Sequence, residues 1–548
     1  MAFLLSTEGK IATWEISLCL IGIVKVQTLK MTNTFKDEAM KLPLASLLIG
    51  ALLGANAHAA GTQTGQTPPP SSSTCTGTYP SYFQDPAFTK TGMWDNQVII
   101  NQAYPGWKGP IFKLSDAYSA AKADQEMPWL KFNPFDKNLS EKDKNTQAWN
   151  YLWAVMQYIQ AGNIDSGDIN TDWDLCNNKV RAWYHIPYQT YDPMSGREFI
   201  HGLTREAPVT MAVKDQGDIK TTMWAVGFYN PQAAGSLAKV WTGAAAPVMP
   251  QANFAFNEGS VIGKLLFTTA TPNNYPFLEN VPVWQANISS SDFCECKNAD
   301  GSACSFQQET EQCPRSVADV YLLQFDIAVR DSRSPVGWAY GTFVADGQFK
   351  AKEKNPWNRI SPLGLMWGND TPPANVGAAA FPQNPVSGLK DSAVFQEVVG
   401  RLNEKTNAGH LGCNGRLNGP ADNALSSCLS CHQTASVPDS SNNTPAIMYQ
   451  FASYQEPGSG QCMTTPSKLD LAIDQVYFKS FQCSESFNGP KNIVPLPQYA
   501  QGQTQWISTD FSLQLSISLT QWQEWQQDQE NLKKNIKVRV FDGTLPSR

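Results

Sequence analysis

Apolar residues recur along this chain with two distinct periods, and the change from one to the other marks its elements. Between Ser140 and Ala161, Trp149, Leu152, Trp153, Met156 and Ile159 fall three and four positions apart, the spacing that lines one face of a helix. Ser140 is placed to cap that helix, acidic residues follow in its first turn, and Gly162 stands at its end. Farther on the period drops to two. Met223 to Phe228 and Val261 to Thr268 are short apolar runs, and Tyr321, Leu323, Phe325, Ile327 and Val329 alternate with their neighbours, as half-buried strands do. Trp338 to Val344 is expected to pair with that last run across a turn at Asp331–Pro335. Near the end, Phe511, Leu513, Leu515, Ile517 and Leu519 alternate with Ser and Gln. That pattern predicts a late strand rejoining the sheet, with a polar helix from Gln521 to Asn535 after it.

Other stretches lack a clear period. Residues 355–388, which include Gly364-Leu365-Met366-Trp367-Gly368-Asn369-Asp370, are dense in Pro, Gly and Asn and read as irregular structure of the kind that shapes pockets. A helix is expected at about 391–405, then a loop from Gly409 to Ser427. In Gly196–Glu206, a helix would set Arg197, His201 and Arg205 on one face, although Gly202 weakens that reading. No internal repeat is present. The fold class expected is α+β and β-rich: an antiparallel sheet body with peripheral helices, and a loop-built segment inserted before the C-terminal strand.

Composition agrees with a large globular chain. Of 548 residues, 42% are hydrophobic and 16% charged, with 17 Trp and 17 Tyr to fill an aromatic interior. A formal net charge of -7 leaves no basic footprint for nucleic acid. The N-terminal region carries an address: Met40-Lys41, the apolar run Leu42 to Leu53, and Ala57-His58-Ala59 have the form of a secretory signal peptide with its cleavage site. The expected organisation is therefore a non-native segment or N-terminal extension at 1–39, a signal peptide at 40–59, and a flexible Pro/Ser linker at 60–80. A β-rich body at 81–400, an inserted segment at 401–450 and a C-terminal part at 451–548 that rejoins the body complete the chain. No later run supplies the roughly 20 apolar residues of a membrane span, so the mature chain is expected to have no transmembrane segment.

Export also changes how the cysteines read. Cys75, Cys176, Cys294, Cys296, Cys304, Cys313, Cys413, Cys462 and Cys483 are expected to form disulfides in an oxidising compartment, with one thiol over and the connectivity open. The cluster Cys294–Cys313 has no Cys-x-x-Cys pair and no nearby His, which favours disulfides over a metal site.

Two more cysteines stand in a different pattern, Cys428-Leu429-Ser430-Cys431-His432. Two thiols separated by two residues match the spacing of the haem vinyl groups, and the following His is then held under the ring. The motif resembles the attachment site of the c-type cytochromes. That resemblance implies one covalent haem c on Cys428 and Cys431, with His432 as proximal iron ligand and a periplasmic or secreted location. It is local to the motif. The small cytochrome c fold, which carries its motif early in a helical domain of about a hundred residues, does not match this chain.

The second axial position stays open among His410, His185, His201, Met448, Met463 and a vacant site, with His410 nearest the motif in sequence. Three functions follow. The first is one-electron transfer with a redox partner protein or a small-molecule donor or acceptor. The second is a peroxidase-like haem oxidoreductase, motivated by Arg197 and His201, whose spacing some peroxidases use above the iron. A salt-bridged surface helix with Glu198 and Glu206 explains the same spacing. The third is a β-rich binding or surface protein in which haem is structural or sensory.

Overall fold

The computed structural model describes most of residues 105–367, interrupted chiefly at 190–197, 214–216, 243–245, 290–297 and 302–314. It then describes short pieces around 411–420, Cys428, His432, 435–438, 454–455 and 462–463, and finally 506–533. The signal-peptide and linker regions, the helix expected at 391–405, and the Cys294–Cys313 cluster lie outside the described residues.

Seven antiparallel strands form the body: β1 Thr204–Val213, β2 Gly217–Tyr229, β3 Val261–Thr268, β4 Val283–Ser289, β5 Arg315–Arg330, β6 Trp338–Ala345 and β7 Ile360–Trp367. Their order is β1-β2-β3-β5-β6-β7, with β4 paired to the first part of β5. The β5–β6 hairpin has the register its alternation implies, from Arg330 opposite Trp338 to Gln324 opposite Val344. The α+β, β-rich class read from the pattern is the one observed.

Because side chains alternate across a strand, the sheet has two distinct faces. Phe228, Gly263, Ile327 and Gly341 share one, being register partners across β2, β3, β5 and β6. Helix α1, Glu141–Gln160, covers that face. Its Trp153 packs edge-on to Phe343 at 5.2 Å, and a Cβ on Gly341 would stand 2.4 Å from Leu152. The cap is as expected: Ser140 Oγ accepts from the Asp143 amide, and Gly162 turns the chain out at φ +77. A short helix, α2 at Pro231–Leu237, follows β2 and is capped by Asn230.

The other face presents Tyr229, Lys264, Ala328 and Tyr340 and is covered by the C-terminal part of the chain. Among the described residues of that part, the two-residue strands β8 Leu411–Gly412 and β9 Arg416–Leu417 pair, as do β11 Tyr454–Gln455 and β12 Cys462–Met463. Between them in sequence, β10 Ser436–Pro438 pairs with β13 Trp506–Ser508. Asp510 and Phe511 then turn the chain in the left-handed region, at φ 50 and 65, into α3, Leu513–Lys533.

Three local expectations are corrected. Residues 511–519 do not form a strand; from Leu513 they are helix, and β13 pairs with β10, not with the main sheet. Ile360–Trp367, expected to be irregular, is a strand at the edge of the sheet, paired with β6, in which every residue is buried. Thr204–Glu206 begin β1, so Arg205 sits on a strand and not on a helix with His201. Among the described residues no helix is long and apolar enough to cross a membrane.

Candidate functional site

Cys428 and His432 both have helical backbone, where a loop was expected. Cys428 is half-buried and packs against the core. Downstream, the Ala435 amide bonds the His432 carbonyl at 3.1 Å, and the Thr509 amide bonds the Ala435 carbonyl at 3.0 Å. With the β10–β13 pairing, these bonds fix His432 and Ala435 against the turn at Asp510 and Phe511.

That turn offers a carbonyl to the imidazole. His432 Nδ1 lies 2.8 Å from the Phe511 oxygen. A carbonyl can only accept, so Nδ1 carries the proton, and in the neutral ring Nε2 holds a lone pair. Burial pushes His432 down to about 4, with Lys264 acting in the same direction and the Phe511 bond and Glu206 opposing it. The ring thus stays neutral at ordinary pH. Tyr340 packs tilted on it, 4.6 Å between centroids, and donates its own hydroxyl to the same Phe511 oxygen at 3.1 Å. The Tyr340 phenol is held well above its ordinary range by burial first, then by Asp510 and Cys428 nearby.

Asp510 is what holds the strained turn in place. Its carboxylate accepts from the Phe256 amide at 2.7 Å and from Trp338 Nε1 at 3.1 Å, and Arg330 approaches to 3.6 Å. Left-handed backbone at a non-glycine residue persists only where its surroundings over-determine it. Here they do.

The donor set suits a c-type haem. The imidazole is neutral, with Nδ1 anchored to a carbonyl and Nε2 holding the lone pair. That anchor commonly fixes the orientation of a metal-binding His. Cys428 and His432 are the described residues of the motif that would hold such a group. Cys431, His410 and Met448 lie outside the described residues, as does the side chain of Met463. Tyr340 and Phe511, which position His432, carried no signal in the sequence.

His185 and His201 lie elsewhere, both lining a cavity of about 50 Å³ with Phe228 and Leu265. These are residues of the sheet face opposite Lys264 and Tyr340. The sheet therefore stands between these two histidines and His432. His185 is also chemically unsuited: its Nδ1 accepts from the Ser115 amide at 3.1 Å, so the neutral ring protonates Nε2 and offers an iron no lone pair there. Arg197 lies outside the described residues. His201 stands 3.4 Å from the Glu198 carboxylate and stacks on Trp284 at 4.2 Å. Compared with known proteins, the chain matches no family model, no curated protein and no solved structure.

Proposed function

We propose that this protein carries a single haem c, bound through Cys428 and Cys431 with His432 as proximal ligand, and works in one-electron transfer. The observation that carries the reading is the Nδ1 contact of His432 with the Phe511 carbonyl, which leaves Nε2 as the nitrogen that holds the lone pair. When bound, the group supplies an iron that cycles by one electron. The protein's own part is to keep His432 neutral, aim its Nε2, and fix the ring between Tyr340 and the Phe511 turn. A periplasmic or secreted location belongs to the same reading, since haem of this type is attached outside the cytoplasm. The partner is a redox protein or a small electron donor or acceptor.

The test is the pyridine haemochrome spectrum of the full chain exported from cells that mature c-type cytochromes. The expected result is the band of a haem joined by two thioethers, shifted in Cys428→Ala as one thioether is lost. Absence of covalent haem from the unaltered protein, or an unshifted band in the variant, overturns the reading.

A further inference from the structure

The His185–His201 cavity lies on the sheet face away from His432, and the reading of it rests on nothing about haem. Its walls are largely aromatic and aliphatic, yet three polar atoms there have no hydrogen-bond partner among the described residues. The first is Nε2 of His185, which carries the proton because Nδ1 accepts from the Ser115 amide. Burial pushes this imidazole down to about 3, so the ring stays neutral and acts as a donor. The second is Nε2 of His201. The Glu198 carboxylate behind it is fully buried, accepts the Ile200 and His201 amides at 2.8 and 2.6 Å, and stands 3.4 Å from Nδ1 without a hydrogen bond to it. That leaves Nε2 for the cavity. The third is Oδ2 of Asp172, a buried acceptor without a partner, while Oδ1 takes the Ser166 hydroxyl at 2.6 Å. Of the three, Asp172 Oδ2 is fully buried, and a buried polar atom without a partner is uncommon unless a water or a ligand completes it.

The geometry points to a binding site for a small neutral hydroxy compound, an alcohol or diol head group. Its oxygen accepts from His185, its hydroxyl protons go to Asp172 or His201, and its carbons lie against Trp173 and Trp284. Size sets the scale: a cavity of about 50 Å³, against the roughly 10–15 Å³ that one water needs, admits about three or four non-hydrogen atoms. Charge sets the class. Asp172 and Asp174 line the cavity, with Lys113 exposed on its rim, and Glu198 backs His201. An anionic head group would meet the unmatched Asp172 acceptor, whereas a hydroxyl satisfies it.

The experiment titrates the full-length protein with ethylene glycol and, separately, with sodium acetate of similar size, following histidine side-chain ¹H–¹⁵N resonances. Ethylene glycol is expected to saturate in the millimolar range and to shift two imidazoles, identified as His185 and His201 by His185→Phe and His201→Gln spectra. Acetate is expected to shift neither. Asp172→Asn, which keeps the shape but turns Oδ2 into a donor, is expected to weaken ethylene glycol at least fivefold with an unchanged circular dichroism spectrum. If acetate binds as well as ethylene glycol, if Asp172→Asn binds it unchanged, or if ethylene glycol fails to saturate, the inference falls.

Discussion

At the scale of single residues, two imidazoles with opposite proton placements show how local bonding decides chemistry. His432 gives its Nδ1 proton to a carbonyl and His185 takes an amide proton on Nδ1, so one is free to bind a metal through Nε2 and the other is not. The cysteine–histidine motif was legible in the sequence because covalent spacing is written along the chain. The partners that aim His432 were not, because Tyr340 and Phe511 reach it through tertiary packing from distant positions. Removing the Tyr340 hydroxyl (Tyr340→Phe) takes one of two donors from the Phe511 oxygen and is expected to cost about 0.5–1.5 kcal/mol in urea unfolding. His185 yields a pH prediction. Its unfolded imidazole takes a proton near pH 6.5, and the folded one takes it at about 3. Between those values the unfolded state binds more protons, so stability is full above about pH 6.5 and falls as the pH drops, by at most about 1.4 kcal/mol per pH unit. Urea midpoints from pH 7 to 4.5 should fall less steeply in His185→Phe than in the unaltered protein; equal slopes would remove His185 from the acid response.

At the scale of elements, legibility followed how faithfully polarity reports burial. The Tyr321–Val329 alternation and its Trp338–Val344 partner were plain, since their hydrophobic residues pack on both faces of a well-paired hairpin. The Phe511–Leu519 alternation misled for a definite reason. Ser512, just before α3, and Leu515, Ser516, Ser518 and Leu519 within it are buried, a helical set in which serines count as interior. Their hydroxyls are satisfied locally or across the layer: Ser516 Oγ lies 2.8 Å from Thr509 Oγ1, and Ser518 donates to the Pro187 carbonyl at 2.6 Å. Read as polar, they disguised a 3.6-residue period as one of two. Ile360–Trp367 misled in the opposite sense, because its Pro and Gly are accommodated in a strand with a register shift in its β6 partner between Thr342 and Phe343. The helix reading of α3 predicts that Ser518→Ala, which strands the Pro187 carbonyl, lowers stability by about 1–3 kcal/mol. A loss below a few tenths in urea unfolding would mean that this bond does not hold the helix to the body.

At the scale of the molecule, the β5–β6 hairpin joins the layers on both faces of the sheet. Within the turn that follows β5, buried Asp331 accepts the Tyr151 hydroxyl of α1 at 3.0 Å and both ends of the Arg333 guanidinium at 2.9 and 2.7 Å. Arg333 in turn reaches the Leu130 and Phe132 carbonyls. From the same hairpin, Trp338 and Arg330 reach Asp510 on the opposite face, beneath the turn that aims His432. The layer carrying the proposed haem ligand and the layer carrying α1 thus share one clasp. Replacing Asp331 with Ala leaves a tyrosine hydroxyl and a partly exposed guanidinium without their acceptor. The expected loss is about 2–4 kcal/mol, below the range for a wholly buried pair because Arg333 reaches solvent. If the clasp couples the layers, the loss is shared: hydrogen exchange should quicken in residues 141–160 and in residues 509–516 by similar factors, and denaturant unfolding should remain a single transition by fluorescence and circular dichroism. Faster exchange confined to 141–160, with 509–516 unchanged, would show instead that the Asp510 turn is held by its own bonds and that the two faces of the sheet can open separately.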